Sequence, residues 1–217
     1  MSTGLPDTPA ADHEEHFASL EQQAHAARFG MWIFLASEVL LFGALFALFA
    51  SYRVHYPAAF RDAVAHNTKI LGSINTGVLL VSSTLVACSV QVLRAGRTRI
   101  AAKLVAATMT LGVVFLAIKL TEWLEHFREG IYPGGVGGYF LDHARDGYSQ
   151  FWTLYFGMTG LHALHVIIGL SVLGTMLVSM IRGRLTAVHS HRLEVAALYW
   201  HLVDLVWIFL WPLFYLA

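Results

Sequence analysis

Residues 198–216 read LYWHLVDLVWIFLWPLFYL, an almost wholly apolar and aromatic run that still carries His201 and Asp204. A bilayer core of roughly 30 Å needs about 20 mostly apolar residues per helix, so this stretch is long enough to cross a membrane. Four other stretches meet the same requirement, and together they predict spans near 29–52, 70–93, 102–125, 151–181 and 195–216. The fourth is long for one crossing and must tilt or project beyond the lipid. Runs of Leu, Ile and Val with scattered Gly exclude a β-barrel, whose short strands alternate polar and apolar residues. The fold class expected is an all-α polytopic membrane protein, a bundle of five transmembrane helices.

The composition agrees. The 217 residues are 57% hydrophobic and 13% charged, and the mean hydropathy is +0.59, above what one soluble core requires. Fourteen basic and fourteen acidic side chains cancel, so no charge excess argues for a nucleic-acid partner. The single Cys88 excludes an internal disulfide and reads as a small buried hydrophobe.

Arg28 is the only cation of the first 28 residues, so neither a secretory n-region nor an Arg-rich transit peptide is read there, and the segment is expected to stay. Residues 1–28 are read as a cytoplasmic segment. Asp12, Glu15, Phe17, Leu20, Ala24 and Ala27 have the spacing of a short interfacial helix. Residues 29–217 form the membrane domain. Arg94, Arg97, Arg99 and Lys103 follow the second span, and Arg182, Arg184 and Arg192 follow the fourth, which marks these loops as cytoplasmic. The longer connection over 126–149, with its PGGVGG turn, suits the opposite face. Arg53, Arg61 and Lys69 run against the rule, but with Arg28 the balance is eight cations inside to five outside, Lys119 lying in the membrane. The expected orientation is N-terminus cytoplasmic and C-terminus periplasmic.

Ionisable groups at membrane depth are costly unless paired, and they mark packed interiors, headgroup contacts or transport paths. Glu38 has no cation within a helical turn and needs a partner from another helix. A neutral carboxyl hydrogen-bonded between helices is the plain reading. In the third span Lys119, Glu122 and His126 share a face, and Glu125 and Arg128 repeat the spacing, as an ion-pair ladder tapering into the interface does. In the fourth, GMTGLHALHVIIG brings His162 and His165 onto one face with Tyr155, Met158, Thr159, Val166 and Gly169, within about 120°. Two such histidines with His201 could ligate a metal or a haem, or could simply bond neighbouring helices. On the last helix Glu194, His201, Asp204, Ile208, Trp211 and Tyr215 fall within about 80°. That stripe is expected to face protein, with His201 and Asp204 bonding one another or clamping the fourth span. Trp200, Trp207, Phe209 and Phe214 then point to lipid or a neighbouring subunit, and Pro212 interrupts the hydrogen-bond ladder.

Five segments, taken in order, resemble one family. RFGMWIFLASEVLLFG (28–43), INTGVLLVSST (74–84), LGVVFLAIKLTEW (111–123), GLHALHVIIG (160–169) and EVAALYWHLVDLVWIFL (194–210) look like the successive helix motifs of subunit III of the haem-copper terminal oxidases. The resemblance implies a non-catalytic subunit packed against the catalytic subunit I, which carries the haems and copper, reduces oxygen and pumps protons. It implies no metal and no cofactor on this chain, and it sides with the bonding reading of the histidines. Residues carried over are Glu38 as the family's intramembrane Glu and Arg28 as a lipid-phosphate contact. Glu122, His162, His165, Glu194, His201 and Asp204 are expected as polar anchors or lipid contacts. The two spans that open the seven-span mitochondrial members are absent, as in bacterial five-span forms, so subunit I or a small subunit IV is expected to supply helices opposite Glu38. Glu38, KLTEW and LYWHLVD look closer to cytochrome c oxidase members than to quinol oxidase members. A nitric oxide reductase-associated homologue is a further alternative. From other classes, a b-type cytochrome using His162 or His165 with His201, or an ion transporter using Glu38, Lys119 and Glu122, would fit the intramembrane groups. The implied location is the bacterial inner membrane, with phospholipid bound.

Overall fold

The computed structural model describes residues 20–133 and 146–216, and its elements are helical. In chain order these are α1 (Leu20–His55), α2 (Pro57–His66), α3 (Lys69–Arg94), α4 (Thr98–Arg128), α5 (Tyr148–Ile181), a 3-10 turn (Ala187–His189) and α6 (Ser190–Tyr215). Five of these elements are long and apolar enough to cross a membrane, so the chain is a multi-pass membrane protein. The PGGVGG turn beyond Pro133 and the start of the expected interfacial helix lie outside the described residues. Leu20 to Arg28, read as the end of that helix, instead continue α1 without a break.

α6 sits at the centre. It packs against α3, α5, α1 and α2, while α3 packs on α4, α4 on α5 and α5 on α1. The spans thus form an arc around α6 with α1 and α3 at its two ends. Of α6's apolar window 61% is buried, against 17% for α1, which contributes the single stripe Leu35, Phe42 and Phe49. That central position corrects the sequence reading of α6: Trp200, Trp207 and Phe214 are buried among neighbours, and Phe209 alone of the four aromatics is exposed. A helix enclosed on several sides has no single protein-facing stripe, so the expected division into a polar inner face and an aromatic outer face does not apply. Cys88, expected as a buried hydrophobe, is exposed on the outside of α3, since Val86, Ser89 and Val90 set that helix's inner face.

Trp200 shows how closely the helices approach. Its indole donates to Ser82 Oγ on α3 at 3.0 Å, and its ring lies over Gly112 of α4 and Gly169 of α5, where a Cβ would fall 2.7 and 2.8 Å from ring carbons. Small residues let backbones come this near where lipid offers no hydrophobic drive for association.

α2 is an element missed by the sequence reading. Pro57 at its first turn is suited to a helix start, and Ala59, Phe60, Ala63 and Val64 bury one face. Phe60 meets Phe49 and Phe151 at 5.2 and 5.3 Å between ring centres, closing that end of the bundle with aromatics. At the opposite end α3 stops at Gly96, whose φ of +77° allows Arg97 N–H to bond Val92 O and Gly96 N–H to bond Leu93 O.

Candidate functional site

Glu38 lies in α1, and its partner is His165 of α5: Glu38 Oε2 stands 2.9 Å from His165 Nε2. His165 Nδ1 lies 2.8 Å from Leu161 O, which only accepts, so Nδ1 holds a proton. The Glu38–His165 contact then contains one further proton, placed either on the carboxyl or on the imidazole. In both arrangements the pair is neutral as a whole, which removes most of the cost of ionisable groups in the membrane.

The second centre is the group around Lys119 and Glu122. Lys119 Nζ donates to Glu122 Oε1 (3.1 Å), Tyr155 OH (2.9 Å) and Tyr215 OH (2.7 Å), which uses all three of its N–H groups. Both tyrosine hydroxyls donate in turn to Glu122 Oε1, Tyr215 at 2.7 Å and Tyr155 through a shorter bond. The ammonium also lies 4.5 Å from the Tyr155 ring centre. Lys119 and Glu122 are each 2% exposed, so the expected ladder tapering into the interface is instead a closed cluster joining α4, α5 and α6. A buried pair is tolerated when further hydrogen bonds meet its remaining donors and acceptors, and the two tyrosines do that here for the lysine.

His126 continues the polar line towards α2. Its Nδ1 faces Glu122 O at 2.8 Å and its Nε2 faces Asn67 Oδ1 at 3.1 Å. Asn67 Nδ2 donates to Phe214 O at 2.9 Å, tying the turn before α3 to the end of α6. His66 Nε2 stands 2.8 Å from Glu129 Oε2 at the surface of the same end.

His201 turns to α3, and neither it nor Asp204 bonds the other or α5. His201 Nδ1 and Ser83 Oγ are 2.6 Å apart. Asp204 is 3% exposed, and its carboxyl oxygens make no hydrogen bond of ordinary geometry with the protein. His162 is buried between Phe115 and Trp207, at 5.6 and 5.3 Å between ring centres.

At the arginine-rich end, Glu194 Oε2 accepts from Arg94 Nη2 at 2.7 Å, and Glu194 Oε1 stands 4.0 Å from Arg28 Nη1. Two cations share one carboxylate, so a positive charge is left over. Between α1 and α6 runs an open apolar groove of about 610 Å³, lined by Trp32, Leu35, Val39, Leu198, His201 and Leu205 among others.

The three histidines weighed as ligands thus have separate surroundings. His165 meets Glu38, His201 meets Ser83, and His162 sits between aromatic rings. Among the described residues no three His, Cys, Asp or Glu side chains gather as around a metal ion. Sequence reasoning missed Ser83 and Asn67 as partners. It placed Tyr155 and Tyr215 on the polar faces of their helices, but not on Glu122.

The model of one protein family, cytochrome c oxidase subunit III, matches residues 13–217. The chain belongs to the cytochrome c oxidase subunit III family. Its relatives include the quinol oxidase subunits 3 of Bacillus spizizenii and Bacillus subtilis, each 29% identical over 209 residues, covering 95% of this chain and 96% of the relative. A probable quinol oxidase subunit 3 of Staphylococcus haemolyticus is 28% identical over 210 residues, covering 97% of this chain and 95% of the relative. As a haem-copper oxidase subunit III the chain is an accessory of an oxidase whose catalytic subunit I is its partner, and the family carries no redox cofactor of its own. Glu38, His165, Lys119 and Glu122 are therefore to be read as groups of a subunit without an electron-transfer centre.

Proposed function

We propose that this chain is the non-catalytic subunit III of a bacterial respiratory haem-copper oxidase, set in the inner membrane with its N-terminus in the cytoplasm and its C-terminus in the periplasm. It stabilises the catalytic subunit, holds phospholipid beside it and supports proton uptake during sustained turnover. The observation that carries this reading is the internal pairing of its membrane-depth charges. Glu38 with His165 and Lys119 with Glu122 fasten helix to helix, and neither pair needs a substrate to be neutralised. Lipid is supported by the surplus positive charge of Arg28 and Arg94 over Glu194, at the same end of α1 and α6 as the start of the apolar groove. The phosphate would meet the arginines and an acyl chain would lie along Trp32 and Leu35. Helices of subunit I or of a small subunit IV would cover α1, the least enclosed span.

Electron donation belongs to other subunits. Cytochrome c is the donor supported by the likeness of Glu38, KLTEW and LYWHLVD to cytochrome c oxidase members. Quinol is the second reading, favoured by the quinol oxidase names of relatives at 27–29% identity.

The test is purification of the oxidase with and without this chain. Removal is expected to leave haem content and initial rate per catalytic subunit unchanged while shortening the active lifetime. Haem bound stoichiometrically to this chain expressed alone overturns the proposal. Rates with reduced cytochrome c and with a quinol decide the donor.

A further inference from the structure

Around Trp207 the interior holds polar groups that its protein neighbours do not satisfy. Asn75 is fully buried, yet neither its amide oxygen nor its nitrogen meets a protein partner. His162 is 1% exposed, and neither ring nitrogen meets one. Glu122 receives three donors on Oε1 and none on Oε2. Leaving five such atoms unpaired is costly, because each gives up its hydration without a replacement partner.

These groups come from three helices, α3, α4 and α5. The His162 ring lies 5.3 Å from the Trp207 ring, and Lys119 Nζ, which holds Glu122, lies 5.5 Å from it on α4. Trp207 Nε1 donates to Thr76 Oγ1 at 3.1 Å, and Thr76 is the chain neighbour of Asn75 on α3. Asn75 also lies one turn from Gly72, whose Cα is packed against Trp211 and Tyr215. Tyr215 is itself a donor to Glu122.

We propose that Asn75, His162 and the second carboxylate oxygen of Glu122 bind a short chain of water molecules inside the bundle, around the edge of Trp207. Water is the ligand whose chemistry fits: it donates to Glu122 Oε2 and to the Asn75 oxygen, accepts from the Asn75 amide, and does either at the imidazole. A larger anion would face the carboxylate, and a metal ion would lack the ligand set. The bound water extends the Lys119–Glu122 cluster into the middle of the bundle, so that α3 joins α4, α5 and α6 in one hydrogen-bonded network.

The test is a map of the intact oxidase containing this chain, at a resolution where ordered water is visible. Expected is water density within hydrogen-bond distance of a His162 ring nitrogen and of the Asn75 amide. A map that shows water elsewhere but none at these side chains overturns the proposal, as does direct bonding of Asn75 to His162 or to another protein group. The double variant His162→Phe, Asn75→Leu is expected to lose the density beside both positions while keeping any at Glu122. Unchanged density in that variant also overturns it. If the variant does not assemble, the map of the unmodified complex decides alone.

Discussion

Glu38 Oε2 and His165 Nε2 stand 2.9 Å apart and join α1, the least enclosed span, to α5. Because His165 Nδ1 already donates to Leu161 O, the contact depends on one shared proton. A side chain that can donate to Nε2 preserves it. Glu38→Gln, whose amide donates, is expected to keep assembly close to that of the unmodified complex. Glu38→Ala leaves a buried imidazole unpaired and is expected to cost about 1–3 kcal/mol. Retention of this chain through purification and thermal inactivation of the oxidase measure both, and equal retention refutes the clamp.

Lys119 and Glu122 are fully enclosed with Tyr155 and Tyr215, so removing one charge strands the other. Lys119→Met or Glu122→Gln alone is expected to destabilise the bundle, by roughly 3–5 kcal/mol where an uncompensated charge remains. The double variant is expected to be less damaged than the sum of the two. A thermal double-mutant cycle on the complex checks this, and strict additivity contradicts it.

His201 and Ser83 act as one link between α6 and α3. His201→Ala and Ser83→Ala are each expected to weaken the bundle by about 1 kcal/mol, and the pair together by little more than either alone. Haem content per catalytic subunit stays constant in all three. A visible spectrum alongside the stability measurement reads both quantities, and loss of haem in step with His201 reverses the assignment.

Trp200 is seated between Gly112 and Gly169, so packing there is tested by adding one methyl group. Gly112→Ala and Gly169→Ala are each expected to destabilise by about 1–3 kcal/mol through overpacking against the indole. Gly157→Ala serves as the control, because nothing lies within 4 Å of its added carbon. Similar losses at all three positions would show that helix approach around Trp200 is not the cause.

The five spans were legible because length and apolarity are local properties, and the observed helices extend the expected limits by a few residues at most ends. α2 was not, since its ten residues are too few to cross a bilayer and so fall outside any run of spanning length, although Ala59, Phe60, Ala63 and Val64 recur at helical spacing. Lys119 and Glu122 were correctly placed on one helical face. Their depth was not, because a spacing of three says nothing about whether tyrosines from two other helices close over the pair.

What the amino-acid order determined by itself was the class of the molecule: hydrophobic runs of spanning length, and ionisable groups within them that demand partners. Tertiary structure decided which partners they receive, His165 for Glu38, two tyrosines for Glu122 and Ser83 for His201. It also made α6 central and so reversed the expected exposure of Trp200, Trp207 and Phe214. The reason is physical. Helical periodicity fixes the direction of a side chain relative to its own axis, whereas burial depends on how many neighbouring axes surround it.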